Sequence, residues 1–304
     1  MKIDSIKSYL KNPLKLYVRL GRDSFLKLIR DEKYLKLLFR ANMSKKLDLD
    51  HPQTFSEKIQ WLKLNDRNPL YTKLADKYEV RSHVAQKLGE EYLIPLLGGP
   101  WDSFDEIDFT ALPERFVLKC THDSGGLVIC RDKSTLDIAE AGKKINGCLK
   151  RNYFWGQREW PYKGIKPRII AEEYLTDEYG CELKDYKFMM FGGKYKCAFV
   201  CSNRFHPDGL NVTFFDPDWQ RLPFERKYHA DPRELPKPEC YGKMVEMAQT
   251  LSKGMIFSRI DLYEANHKVY FGEITLYPGS GMELFDPPEW DKTLGDWLKL
   301  PQKS

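Results

Sequence analysis

Between Ser258 and Gly279 two runs rich in Ile, Leu, Val, Tyr and Phe flank a short polar stretch, Asn266-His267-Lys268. That is the signature of a β-hairpin, and no other part of the sequence restricts the fold as tightly. With a three-residue loop, Asn266 to Lys268, Asp261 lies opposite Glu273 and Arg259 opposite Thr275. Side chains alternate along a strand, so these four share one face while Ile260, Leu262 and Ile274 occupy the other. Two acids and a cation thus gather just before Pro278-Gly279-Ser280-Gly281. Paired carboxylates at this reach can hold a hard cation such as Mg2+. A half-buried hairpin with a solvated charged face would show the same alternation.

The chain has 304 residues, enough for one large domain or two to three smaller ones. A net charge of +5 suits an anionic small molecule and is too mild for a nucleic-acid binder. No apolar run approaches the length of a membrane-spanning helix. The N-terminus, Met1 to Leu20, alternates lysines with single apolar residues, which is not a secretory signal. It reads as a helix packed on the body, or one that touches a membrane surface. The seven cysteines are scattered, without a C-x-x-C pair, and read as buried, reduced thiols of a cytoplasmic protein.

Residues 1–70 read as helical. Thr54 and Glu57 form a capping box that opens a helix through Ile59, Trp61 and Leu62. A further helix is expected from Tyr71 to Leu88, stopped by Gly89. Tyr92 to Leu97 reads as a short buried strand closed by Gly98-Gly99-Pro100. Strands are expected at Arg115–Cys120 and Leu127–Cys130 around the turn Thr121–Gly126, then a helix at Ser134–Lys150 and an aromatic loop at Arg151–Lys166. Further strands fall at Pro167–Leu175, Asp185–Phe191, Lys194–Ser202 and Val212–Phe215. A helix at Pro238–Ser252 precedes the hairpin.

The turn His122-Asp123-Ser124-Gly125-Gly126 joins two strands, so it is neither a dinucleotide fingerprint nor a Walker loop. A Gly-rich β-turn can still donate backbone N–H groups to phosphates. Lys119 precedes it in the apolar run Phe116-Val117-Leu118, where its charge needs a partner or an open face. Glu172-Glu173-Tyr174-Leu175 closes a strand whose extended backbone suits an adenine edge, or is an ordinary strand end. Asp185 and Lys187 share a strand face, and Arg204 follows another strand. For each of these charges a solvated strand edge is the plain alternative.

The order Lys77, Lys119, Gly-rich turn, acidic strand end, Asp185-x-Lys187, Arg259-x-Asp261, Glu273-x-Thr275 and Pro278-Gly279 resembles the ATP-grasp superfamily over roughly residues 70–285. Longer phrases resemble its TupA-like branch, named for teichuronopeptide synthesis. They are Phe55 to Lys63, Ala75 to Arg81, Leu93 to Leu97, Lys119 to Gly126, Ala171 to Leu175 and Asp185 to Phe188. The resemblance implies an α/β (α+β) fold with nucleotide held between two α+β subdomains. Its expected parts are a helical extension at 1–70, a pre-ATP subdomain at 71–114, a lid subdomain at 115–175 and a C-terminal subdomain at 176–304.

The resemblance further implies ATP and Mg2+, two ions in the family's manner, as cofactors. Asp261, Glu273 and Thr275 would hold metal. Thr275 stands where the related pattern has Asn, and a hydroxyl is a weaker ligand than an amide carbonyl. Lys77, Lys119, His122, Asp123, Ser124, Gly125, Gly126, Glu172, Glu173, Tyr174, Leu175 and Asp185 would bind the nucleotide. Arg259, Lys187 and Arg204 would serve catalysis, and Pro278, Gly279, Ser280 and Gly281 the substrate. The implied activity is ATP-dependent joining of a carboxylate to an amine through an acyl phosphate. The implied substrates are a carboxylate sugar and an amine or amino acid, in bacterial surface-polysaccharide synthesis at or near the inner membrane face. A glycosyltransferase of the same pathway would instead use an Asp-x-Asp motif. Asp48-Leu49-Asp50 and Asp216-Pro217-Asp218 are the two such strings, the second centred on a turn-favouring proline.

Overall fold

A computed structural model describes residues 13–21, 25–176, 183–203 and 209–301. Two antiparallel sheets form the frame. A four-stranded sheet has the order β1-β4-β2-β3, and a five-stranded sheet the order β7-β6-β5-β8-β9. In the first, β1 is Leu96–Trp101, β2 Phe116–Cys120, β3 Leu127–Cys130 and β4 Ile169–Glu173. In the second, β5 is Asp185–Phe191, β6 Lys194–Ser202, β7 Asn211–Phe215, β8 Phe257–Ala265 and β9 Lys268–Thr275.

Each sheet carries its own core. In the four-stranded sheet Phe116, Leu118, Cys120, Ile169 and Ala171 face helix Ile138–Leu149, which contributes Ala141, Ile145 and Cys148. The alternate residues Val117, Lys119, Ile170 and Glu172 therefore face the other way, as the two-residue period of a strand requires. In the five-stranded sheet Tyr186, Phe188, Ile260, Leu262 and Ile274 share a core with Met244, Met247 and Leu251 of helix Tyr241–Ser252. The helix Phe55–Asn65 belongs to this second core through Phe55, whose ring lies edge-on to Phe257 at 5.2 Å. Its start is the expected capping box: Thr54 Oγ1 accepts from Glu57 N at 3.2 Å and Glu57 Oε2 from Thr54 N at 3.0 Å.

Three expectations need correction. The helix expected over Tyr71–Leu88 is two helices, Leu70–Ala75 and Glu79–Leu88. Asp76 breaks it by accepting from Tyr78 N at 2.8 Å and Glu79 N at 3.2 Å, acting as a local cap for the second piece. The strand expected over Tyr92–Leu97 lies later and includes the glycines and the proline. It is the sheet's edge strand, where a missing N–H is tolerated. β1 pairs antiparallel with β4.

The hairpin loop is two residues, Asn266 and His267, both with positive φ (51° and 58°), and Ala265 pairs with Lys268. Such a tight turn matches the right-handed strand twist better than a longer loop. The register then shifts between Asp261 and Leu262, because Gly272 is an extra residue that forms a β-bulge. A Cβ at Gly272 would stand 2.8 Å from the Tyr263 ring and 3.0 Å from the Asp261 carbonyl, so this close approach excludes a side chain.

All six described cysteines are free. Among the described residues no helix is long and apolar enough to cross a membrane. Cys181 and residues 1–12 lie outside the described residues.

Candidate active site

The five-stranded sheet sets the chemistry out in rungs. Lys187, Asp261 and Glu273 pair directly across β5, β8 and β9. The neighbouring rung places Arg259 opposite Thr275. Directly opposed residues on one face of a sheet have side chains in contact. Lys187 Nζ binds Asp261 and stands 2.6 Å from Asp185 Oδ2. Arg259 forms a fork on Asp261, with Nε 2.6 Å from Oδ1 and Nη2 2.7 Å from Oδ2. The same Nη2 reaches Glu273 Oε1 and Thr275 Oγ1, each at 2.9 Å, and the Thr275 hydroxyl donates to Glu273 Oε1 at 2.9 Å.

The two acids differ in accessibility and in how readily they take up a proton. Asp261 is 1% exposed, and burial pushes its carboxyl up to about 6 against the pull of Arg259 and Lys187. Glu273 keeps 39% of its side chain accessible. Burial acts to raise its pKa, but Arg259, Lys77, Lys187 and the Thr275 hydroxyl overrule that and hold it below the usual carboxylate range. Glu273 is thus an anion facing open space. Among the described residues its Oε1 is engaged and its Oε2 has no hydrogen-bond partner.

This donor set fits Mg2+ of a particular kind. No three His, Cys, Asp or Glu side chains among the described residues form a complete metal cage. Mg2+ is commonly held by one or two carboxylates, with substrate phosphates and water completing the shell. An ionised Glu273 beside Asp261 supplies that partial set, with the Thr275 hydroxyl adjacent. Asp185, Asp261 and Glu273 share this face with Lys187 and Arg259, and Lys77 acts on Glu273 from the other side of the pocket.

A pocket of about 210 Å³ lies over this face, and the four-stranded sheet lines its other side. Lys119 and Glu172 face into it from β2 and β4, and their side chains meet at 2.5 Å. Arg81 also reaches Glu172, at 2.9 Å. Lys77 enters because the helix breaks at Asp76. Its backbone N–H bonds Thr121 O at 3.0 Å, and its Nζ binds the Asp123 carbonyl. The turn is folded by its own aspartate: Asp123 Oδ1 accepts from Gly125 N at 3.2 Å and Gly126 N at 2.8 Å. Gly126 is required there, since a Cβ would lie 2.4 Å from Cys120 Sγ.

Of the sequence candidates, Lys77, Lys119, Asp123, Ser124, Gly126, Glu172, Asp185, Lys187, Asp261 and Glu273 line this pocket together. Gly125 lines an adjoining cleft. His122 is buried against helix Ile138–Leu149, with Nε2 3.1 Å from Cys148 O. Glu173 is exposed, and its N–H bonds Pro95 O at 3.0 Å. Tyr174 receives a hydrogen bond from Arg131 at 3.1 Å, and neither it nor Leu175 lines the pocket. Pro278 to Gly281 form a tight turn with Gly279, Ser280 and Gly281 at positive φ. Gln60 Nε2 donates to Ser280 O at 2.9 Å, and buried Lys63 donates to Ser280 O at 2.8 Å and Ser280 Oγ at 2.6 Å. Arg204 lies outside the described residues.

The sequence candidates did not include Arg81, Tyr263 and Gly272, which line the pocket, or Lys63 and Gln60, which hold the 278–281 turn. Arg81 carried a signal, being four residues after Lys77, one helical turn away. Lys63 and Gln60 carried none, since their partners lie more than two hundred residues away in the chain.

Both Asp-x-Asp strings serve turns. Asp48 Oδ1 accepts from Asp50 N and His51 N at 2.9 Å each. Asp216 Oδ1 accepts from Asp218 N at 2.9 Å and Gln220 N at 2.8 Å. Neither string lines the pocket.

Two sheets enclosing a pocket, lysines on one wall and metal-suited acids on the other, are the architecture of an ATP-grasp enzyme. Residues 57–299 match the family described as TupA-like ATPgrasp, and the chain belongs to that family. No curated protein matches the sequence. Among solved structures, the D-alanine–D-alanine ligase from Helicobacter pylori is 16% identical with a TM-score of 0.45, over 81% of this chain and 69% of that one. The Bacillus anthracis D-alanine–D-alanine ligase complexed with ATP is 16% identical with a TM-score of 0.43, over 76% of this chain and 67% of that one. The D-cycloserine synthetase DcsG is 16% identical with a TM-score of 0.38, over 76% and 72% respectively. Likeness this distant carries nothing about chemistry.

Proposed function

We propose that the protein is an ATP-dependent carboxylate–amine ligase. The observation that carries the reading is the rung Lys187–Asp261–Glu273 with Arg259 beside it, in one pocket with Lys77 and Lys119. Phosphoryl transfer needs charge neutralisation and alignment more than a protein nucleophile. Lys77 and Lys119 orient the phosphates beneath the Gly-rich turn. Glu273 and Asp261 would hold Mg2+, which would offset charge on the phosphoryl oxygens. Arg259 and Lys187 keep both acids ionised and aimed, and stabilise negative charge on the transferred group.

The reaction this toolkit suits has two steps. A substrate carboxylate oxygen attacks the terminal phosphorus as the bond to ADP breaks, giving an acyl phosphate. An amine then attacks the acyl carbon, phosphate leaves with the bonding pair, and the amine loses a proton to form an amide. The family's TupA-like character favours a sugar carboxylate of a bacterial surface polysaccharide joined to an amino acid. The test is to incubate the protein with Mg-ATP, a uronate and an amino acid and follow ADP and phosphate. Acceptor-dependent ADP release, abolished in Asp261→Asn, is expected. UDP release from a UDP-sugar without ATP would overturn the reading.

A further inference from the structure

A second cleft, of about 610 Å³, opens beside the nucleotide pocket, which measures about 210 Å³. Asp123 and Ser124 line both, so the Gly-rich turn forms the wall between them. The cleft is built from pieces far apart in sequence: Lys27 in the N-terminal extension, Lys150 and Arg151 after helix Ile138–Leu149, and Tyr153 and Trp155 at the start of the short helix Phe154–Gln157.

Its charge is one-sided. Three cations, Lys27, Lys150 and Arg151, face one carboxylate, Asp123, which leaves an excess of two positive charges. Among the described residues, Lys27 and Lys150 have no ion-pair partner, and Arg151 stands 3.8 Å from Asp123 Oδ2. The other Asp123 oxygen is occupied by Gly125 and Gly126 N–H groups. A cleft of one sign with low-dielectric walls concentrates the opposite charge, so this one attracts a carboxylate and repels an ammonium group.

Its walls suit a larger, hydroxyl-bearing molecule. Trp155 and Tyr153 supply partly buried rings with polar tips, and Asn152 and Gln157 add amides. The cleft adjoins the nucleotide pocket at Ser124. Ser124 Oγ donates to the Tyr153 hydroxyl at 3.0 Å, and the Tyr153 ring lies 4.9 Å from Tyr162.

The geometry points to a second substrate site that takes an anionic saccharide and presents its carboxylate past Ser124 to the nucleotide's terminal phosphate. The presentation step rests on the ligase reading; the binding does not. The test is titration calorimetry of the full chain with tri-galacturonate and with its methyl ester, which has the same rings without the charge. The acid is expected to bind at least tenfold tighter than the ester. Lys27→Ala and Arg151→Ala should each weaken the acid about tenfold and leave the ester unchanged, whereas Trp155→Ala should weaken both. Thermal unfolding of each variant checks that it folds. Equal binding of acid and ester, binding indifferent to all three substitutions, or no binding of either would overturn the proposal. Binding of a non-hydrolysable Mg-ATP analogue, measured separately, tests the ligase reading. Its failure leaves the saccharide titration free to decide the cleft.

Discussion

Arg259 and Asp261, two residues apart on one strand, grip each other through two parallel contacts of 2.6 and 2.7 Å. The fork leaves Arg259 Nη2 also touching Glu273 and Thr275, so one guanidinium sets the position of both acids and the hydroxyl. Lysine has the charge without the planar fork. Arg259→Lys is therefore expected to lower the rate of acceptor-dependent ADP release about a hundredfold, roughly 3 kcal/mol of transition-state stabilisation. The variant should still melt cooperatively. ADP release at the wild-type rate would remove Arg259 from the chemistry.

Glu273 is the accessible anion of the pair. Glu273→Gln keeps its size and loses the charge that suits Mg2+. Calorimetry with a non-hydrolysable ATP analogue is expected to show at least a tenfold loss of affinity in the presence of Mg2+, about 1.4 kcal/mol, and a smaller loss without it. Equal losses under both conditions would mean that Glu273 acts on the nucleotide directly.

The buried Lys63 hydrogen-bonds Gln60, Ser280 and the Gln157 carbonyl, and Glu159 lies in the same buried cluster. Lys63→Met strips the donor from Gln60, Ser280 and the Gln157 carbonyl in a buried site and should cost about 3–5 kcal/mol in chemical denaturation. Adding Glu159→Gln removes the stranded charge. The double variant should recover part of that loss, a coupling that a double-mutant cycle reads directly. Strict additivity would show that the two charges do not interact.

Asp231 is fully buried and accepts from Ser202 Oγ at 2.7 Å and from Arg233 Nε at 3.0 Å. Arg233, then Ser202, hold its carboxyl below the usual range against the opposing effect of burial. A depressed folded-state pKa means that the unfolded chain binds the proton more readily. The stabilisation is therefore present above the unfolded value of about 3.9 and is lost as pH falls below it towards the folded value. Asp231→Asn should be less stable by about 1.5–3 kcal/mol at pH 7, the worth of charge-assisted hydrogen bonds. The gap from wild type should narrow as pH drops below about 4. A gap constant with pH would contradict the assignment.

The sequence carried the site's rungs but not the way they are reached. Alternation alone put Asp261 against Glu273 and Arg259 against Thr275. It did so through a three-residue loop that does not exist: the turn is one residue shorter and the bulge at Gly272 one residue longer. A bulge leaves little trace in a hydrophobic pattern beyond the glycine itself. The break at Asp76 was also hidden. Apolar residues keep helical spacing on both sides of it, while the contact that stabilises the break, Lys77 N to Thr121 O, is long-range. The Lys63 and Gln60 anchors of the 278–281 turn were hidden for the same reason. Local pattern reports periodicity, whereas these features are decided by tertiary partners.

Gly272 has a role distinct from register. With it deleted, Leu262 would still pair with Phe271 and Asp261 with Glu273, because those are the pairs on its two sides. A chain one residue shorter would therefore keep every cross-strand partner of this hairpin and lose only the bend between them. Length variation at this point would alter the contour of the pocket floor without changing the order of the charges on it, so the shape of the site and its charge pattern can vary independently.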